Sequence, residues 1–326
     1  MTILTILFSF IFGFIGAYLM SKIGHRFSLV DNVNERSSHS TPTPRGGGIG
    51  IVAALLFAGV FVLRDMRFTF IVVGVGICGF LGDLFSLSPR LRLSFQVFLS
   101  AVAVLMVSKN PSSTREVLVF LFLVIFITGT ANFYNFMDGI NGIAAITGIV
   151  GFGLVAYFAY FISKTPSLAL TAVILSTACL GFVPFNFLKA KVFMGDVGSV
   201  SLGFIFAFMT TWLSRNVFDF ICLSSFLFPF YADELTMIYI RLRSRENLML
   251  PHKRHFYQIL ANELQVPHWK VSSAYGITQF AIGVSILFLR PLGILPILSA
   301  LVLYFVVAVA VTHAIRDKLE FNCKKI

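Results

Sequence analysis

The chain is a succession of apolar stretches close to the length of a bilayer-crossing helix, and that repetition limits the folds open to it. The stretches fall near 1–20, 46–63, 68–82, 93–108, 117–137, 142–162, 167–186, 199–213, 219–240, 271–290 and 291–312. A helix needs roughly 20 apolar residues to cross the hydrocarbon core. In lipid every backbone N–H and C=O must find a partner within the structure, which leaves helices or closed barrels. The runs are continuous rather than alternating at every second residue, so helices are expected and a barrel is not. Hydrophobic residues fill 57% of the 326 positions, charged residues only 12%, and mean hydropathy is +0.90. The reading is an all-α, polytopic membrane protein of ten or eleven helices, with one integral membrane domain over 1–326. Residues 1–20 lack a basic leader and a small-residue cleavage site, so they read as a retained helix.

A net charge of +11 invites a nucleic-acid reading. Lys and Arg that flank membrane helices account for it better, and no nucleic-acid partner is expected. Of the 25 Lys and Arg, only Arg64, Arg67, Lys109, Arg115, Lys164, Arg215 and Arg290 fall on the side opposite the Asp138 loop. The positive-inside rule then puts the N-terminus outside and the C-terminus in the cytoplasm. Acidic residues separate the same way, with only Asp65, Glu116 and Asp219 on the far side. Acids do not set topology, so their gathering marks the cytoplasmic face as the working surface. Cys78, Cys179, Cys222 and Cys323 are scattered and form neither a disulfide framework nor a zinc spacing.

The unusual chemistry lies at the ends of the apolar runs. Asn132-Phe133-Tyr134-Asn135-Phe136-Met137-Asp138-Gly139-Ile140-Asn141-Gly142 closes the fifth run. If the helix continues, Asn132, Asn135, Asp138 and Asn141 follow one curved strip, drifting about 60° per step. Polar groups there are expensive unless they bind something. The loop before the second run carries Arg36 and Arg45, which suit phosphate oxygens or a plain interfacial loop, and then Gly46-Gly47-Gly48. Asp83 ends the third run, either as a helix-end residue or as part of a site. In Phe193-Met194-Gly195-Asp196-Val197-Gly198-Ser199 the accessible carboxylate of Asp196 suits Mg2+ carried with substrate phosphates, or an N-cap. Loop 241–270 holds His252, Lys253, Arg254, His255 and three further arginines. So much positive charge opposes a metal and favours a diphosphate or acidic headgroups. Asp233 and Glu234 are partners for these arginines or a further polar element.

Carboxylates for Mg2+, cations for phosphates and a membrane frame for a lipid fit one chemistry. A nucleotide-activated donor would meet a lipid acceptor, and phosphoryl transfer needs chiefly positioning and charge neutralisation. Two rivals belong to other classes: an ion-coupled transporter using Asp83, Asp138 and Asp196, and a non-catalytic scaffold of a glycan-assembly complex. Transporter sites lie near the membrane midplane, whereas these residues fall at helix ends on one side.

Thr43 to Gly48, Asp83 with Ser88-Pro89-Arg90, Asn132 to Gly142, Phe193 to Ser199 and His252 to Gln258 occur in one order on one face. In these blocks, from about 34 to 258, the chain resembles the polyprenyl-phosphate N-acetylhexosamine-1-phosphate transferase superfamily, of glycosyltransferase family 4 type. The run Asn34 to His39 is most similar to the O-antigen-initiating branch. The resemblance implies a UDP-N-acetylhexosamine donor, an undecaprenyl phosphate acceptor and release of UMP. It also implies Mg2+ as cofactor, with Mn2+ as the alternative, and a multi-pass protein of the bacterial cytoplasmic (inner) membrane among membrane lipids. A homodimer is left open. By the same resemblance Asp196 ligates the metal, and Asn135, Asp138, Gly139 and Asn141 line the nucleoside pocket with Phe193 stacked on uracil. His252 and His255 would contact phosphates or sugar, helped by Arg36, Arg45 and Arg254, and Asp83 would be a base or an acceptor-orienting group. Two departures stand out: Gly82 replaces the first of the family's paired aspartates, and the histidine block reads His-Lys-Arg-His.

Overall fold

The computed structural model describes residues 2–27, 29–31, 41–85, 87–108, 110–245 and 254–323. The described residues are nearly all helical: α1 Thr2–Ile23, α2 Ile49–Phe57, α3 Met66–Phe85, α4 Pro89–Val107, α5 Thr114–Phe136, α6 Ile143–Tyr157, α7 Pro166–Phe182, α8 Asp196–Leu213, α9 Val217–Ser224, α10 Phe228–Arg243, α11 Phe256–Gln258, α12 His268–Leu289 and α13 Ile294–Cys323. A two-residue antiparallel ladder, β1 Val30–Asp31 with β2 Thr43–Pro44, pairs Val30 with Pro44 and Asp31 with Thr43.

Local sequence starts several of these helices. Ser88 accepts the Leu91 N–H ahead of Pro89, whose fixed φ suits a first helical turn. Ser113 and Glu116 form a reciprocal capping box at α5. Asn216 accepts the Asp219 N–H at α9.

Ten helices among the described residues are long and apolar enough to cross a membrane, counting α9 and α10 together as Val217–Arg243. The stretch Ile49–Leu63, expected as a further span, is a shorter apolar helix whose last turns widen to a π-helix. It still runs the length of the bundle. Its start sits beside Met194, Arg64 turns the chain in a left-handed conformation, and α3 then returns to Asp83. The start of α1 therefore lies at the end away from Asp83. At the other terminus, α13 comes back to the Asp83 end, where the Arg316 guanidinium donates to the Arg254 carbonyl.

The post of the bundle is α8. It is apolar on every side and buried along nearly its whole length, as expected of a helix with no solvent or lipid face. It packs against α2, α3, α4, α5 and α6. Its first turn therefore stands at the centre of one end of the bundle, and that turn carries Asp196.

Candidate active site

The frame of the site is a seam between two loops. Phe193 N–H donates to the Pro44 carbonyl (2.7 Å), Gly47 N–H to the Phe193 carbonyl (2.9 Å) and Gly48 N–H to the Met194 carbonyl (2.9 Å). Gly195 then turns the chain into α8 at φ +75°, where a Cβ would lie 2.6 Å from Asp83 Oδ2 and 2.7 Å from Gly46 N. Both the backbone conformation and the space demand glycine.

Asp83, from the last turn of α3, reaches across to the start of α8. Its Oδ1 accepts the Asp196 N–H at 3.0 Å and its Oδ2 the Val197 N–H at 3.1 Å. A carboxylate at a helix N-terminus meets unpaired N–H groups and the positive end of the dipole. Asp83 is only 2% exposed. Arg45 backs it, donating from Nη2 to the Asp83 carbonyl (2.5 Å) with Nε 4.0 Å from Oδ1. Asp196 is the first residue of α8, not its N-cap, a position held by Gly195. Its side chain is 20% exposed and is bonded through Oδ2 to Nη1 of Arg92 on α4. Gly82 lies against this pair, and a Cβ there would sit 3.3 Å from both Asp196 Oδ2 and Arg92 Cδ.

The strip expected from Asn132 to Asn141 is broken. α5 ends at Phe136 with Met137 as C-cap, and Asp138 to Gly142 form a loop that turns at Gly142 with φ +85°. The Gly142 N–H goes to Asn186 Oδ1 (2.6 Å), a partner that continued helix would not allow. Asn132 faces away from the loop and braces helices, donating to Gln96 Oε1 (2.6 Å) and the Thr128 carbonyl (2.8 Å). Asn135 Oδ1 accepts from Ser199 Oγ (2.7 Å), one turn along α8 from Asp196. Asn141 is clamped by its main chain: its N–H donates to His268 Nδ1 (3.3 Å) and its carbonyl accepts from Ser272 Oγ (2.7 Å). Burial, and then the charges of Asp196 and Asp83, push the Asp138 carboxyl well above the usual carboxylate range.

Arg36 and His252 lie outside the described residues. Arg254 is exposed at the far end of the basic loop. His255 is 3% exposed, with Nδ1 3.4 Å from Asp233 Oδ1 and Nε2 3.7 Å from Glu234 Oε1. Burial alone would lower its pKa, but the Asp233 hydrogen bond and the two acidic charges outweigh it and leave the imidazole raised. Tyr257, fully buried, donates to the Phe136 carbonyl (2.9 Å) and lies so close to Gly139 that no Cβ fits between them. Phe193 is half-buried beside the seam.

No group of three or more His, Cys, Asp or Glu among the described residues could hold a metal unaided. Mg2+ typically takes one or two carboxylates, several waters and substrate phosphates. The partly exposed Asp196, a single accessible carboxylate beside the buried Asp83, fits that pattern, and not a closed protein cage. Arg92, His268 and Ser272 are parts of this end of the bundle that sequence reasoning missed. Arg92 alone carried a signal, as a charge two residues from Arg90 in an apolar run.

Residues 65–214 match the family model described as Glycosyl transferase family 4. Among curated proteins, the chain is 26% identical over 264 residues to the probable undecaprenyl-phosphate N-acetylglucosaminyl 1-phosphate transferase of Bacillus subtilis (strain 168), covering 74% of this chain and 72% of that one. It is 28% identical over 283 residues to the phospho-N-acetylmuramoyl-pentapeptide-transferase of Staphylococcus saprophyticus, covering 75% and 86%. It is 28% identical over 263 residues to the undecaprenyl-phosphate alpha-N-acetylglucosaminyl 1-phosphate transferase of Thermotoga maritima, covering 77% and 79%.

Proposed function

On the strength of its glycosyl transferase family 4 region, we propose that the chain transfers an N-acetylhexosamine 1-phosphate from a UDP-sugar to a polyprenyl phosphate in the membrane. The observation that carries the reading is the joining of three sequence blocks where α8 begins, Asp83 capping the turn that carries Asp196 and Asn135 bonded to Ser199 one turn on. The acceptor is read as undecaprenyl phosphate, the membrane as the bacterial inner membrane with the site facing the cytoplasm, and the product as the first lipid-linked sugar of a glycan such as O-antigen.

In the proposed reaction an acceptor phosphate oxygen attacks the β-phosphorus of the donor. The bond from that phosphorus to the bridging oxygen breaks, and UMP leaves with the oxygen. Mg2+, or Mn2+ in its place, would when bound neutralise the diphosphate and the departing UMP. Asp196 is the side chain that would hold it. Asp83, both oxygens of which are committed to α8, is assigned the task of fixing Asp196. A phosphate monoester is largely deprotonated at neutral pH and needs little help from a base.

Asn135, Asp138, Gly139 and Asn141 are assigned to the nucleoside, with Phe193 for the uracil face. Arg36, Arg45, His252 and Arg254 are the cations proposed for the phosphates. His255, buried between two acids, is given the part of holding its loop. An apolar groove of about 610 Å³ between α10, α12 and α13, lined by Phe228, Leu260, Tyr304 and Val311, is a suitable bed for an isoprenoid tail.

The test is a panel of labelled UDP-N-acetylhexosamines offered to membranes containing the protein, reading label in the lipid fraction and UMP in solution. Asp196→Asn or Asp138→Asn should abolish both signals. Turnover near the wild-type rate in either variant overturns the assignment.

A further inference from the structure

We infer that Asp233 is a positioning residue for the proposed transfer, its carboxylate fixing the start of α11 so that Tyr257 registers the basic loop against the Asp138 loop. This rests on the transferase reading above.

Asp233 lies on α10 inside a membrane-crossing segment and is 8% exposed. A carboxylate there is costly unless its oxygens are satisfied. Its oxygens are satisfied by groups from two other segments. Oδ1 accepts the Phe256 N–H (2.9 Å) and lies 3.4 Å from His255 Nδ1. Oδ2 accepts the Tyr257 N–H (3.3 Å) and the Tyr275 O–H (2.7 Å) from α12.

α11 opens a helical segment that continues as a π-helix over Ile259–Glu263, too short in all to be stable alone, since isolated helices under about 12 residues are marginal in water. Within the segment Gln258 reaches back to the His255 N–H, and the hold from outside comes from Asp233, which takes the Phe256 and Tyr257 N–H groups. The next link is Tyr257, whose hydroxyl reaches the carbonyl of Phe136, one of those left unpaired where α5 ends. The path from Asp233 through Tyr257 to Phe136 and Gly139 joins the two loops that the proposal gives to phosphates and nucleoside. Asp233 itself is buried and saturated, so its effect on the donor is exerted through these neighbours.

The test uses the full chain in detergent. Asp233→Asn keeps the size but replaces one acceptor oxygen by an N–H donor facing another donor. We expect kcat for UMP release to fall by about a hundredfold, the scale of a misplaced reacting group. The donor KM and the Kd for UDP should move by less than about threefold, the signature of an interaction felt in the transition state. Hydrogen exchange should accelerate over 254–263 and stay unchanged over 143–157. Tyr275→Phe, which removes one bond to Asp233, should shift kcat and exchange in the same direction by less. The inference is overturned if Asp233→Asn keeps kcat within about twofold of wild type. It is equally overturned if kcat falls while exchange over 254–263 is unaltered, or if exchange rises throughout the chain with Tyr275→Phe silent. A wild-type protein that releases no UMP defeats the transferase reading, and the exchange measurement still judges the anchor.

Discussion

Asp83 caps the helix that begins with Asp196, its two oxygens accepting the N–H groups of Asp196 and Val197 at 3.0 and 3.1 Å. The two aspartates therefore have different parts, one buried and holding, the other partly exposed and available. Losing a capping side chain typically costs about 0.5–2 kcal/mol. Asp83→Ala should lower the unfolding temperature and abolish UMP release. Asp196→Ala should abolish release with the smaller thermal effect. Thermal unfolding of both variants in detergent decides it, and a greater stability loss for Asp196→Ala would refute the capping role.

Asp138 carries a stability cost that depends on pH. Its carboxyl is raised by burial and by the charges of Asp196 and Asp83. A group raised in the folded state contributes stability that is full below its unfolded value, about 3.9, and is lost as pH rises through the folded value. Asp138→Asn, which cannot ionise, should therefore melt higher than wild type near neutral pH and above, while losing transfer activity. The gain should vanish toward pH 4. Melting curves across that range check it, and a variant less stable than wild type at every pH would contradict the prediction.

His255 should show a dependence of its own. The pull of Asp233 and Glu234 outweighs burial and raises the imidazole. Its contribution is complete below about pH 6.5, the ordinary histidine value, and disappears as pH rises through the folded value. The stability difference between wild type and His255→Gln should be largest at mildly acidic pH and shrink under alkaline conditions. A difference that grows with pH would mean that His255 is held neutral.

Gly139 and Tyr257 should be coupled. A Cβ at 139 would collide with the Tyr257 hydroxyl and sit 3.0 Å from Cζ. Gly139→Ala should cut transfer by at least about tenfold, with recovery of part of the loss in Gly139→Ala/Tyr257→Phe, since contacting residues are not additive. A double mutant showing the simple product of the two single effects would deny the contact.

The apolar runs made the helical frame legible, because a membrane helix announces itself by length and composition alone. The polar blocks at 43–48, 83, 132–142 and 193–199 were legible as departures from that background, and the fold brings them to one end. Their division of labour was not. Asn132 and Asn135 look alike in sequence, yet one bonds to Gln96 and the other to Ser199. The end of α5 at Phe136 depends on Asn186, 44 residues away from Gly142, and no local pattern predicts such a partner. The reach of Arg92 to Asp196 spans 104 residues and is set by how α4 packs beside α8. Asp83 read as a lone acid because helix capping is normally sought within a few residues, and here the cap comes from another helix.

The seam between Pro44–Gly48 and Phe193–Met194 is made by main-chain groups. An engineer wishing to alter donor choice could randomise the side chain at Phe193 without unfastening the loops, whereas Arg45 is tied to Asp83. The forbidden substitutions are those that thicken the joint itself. A Cβ on Gly48 would strike Gly198, and one on Gly195 would strike Asp83 and Gly46. A library built on this rule would vary what faces the cleft and leave the hinge-plate of glycines alone.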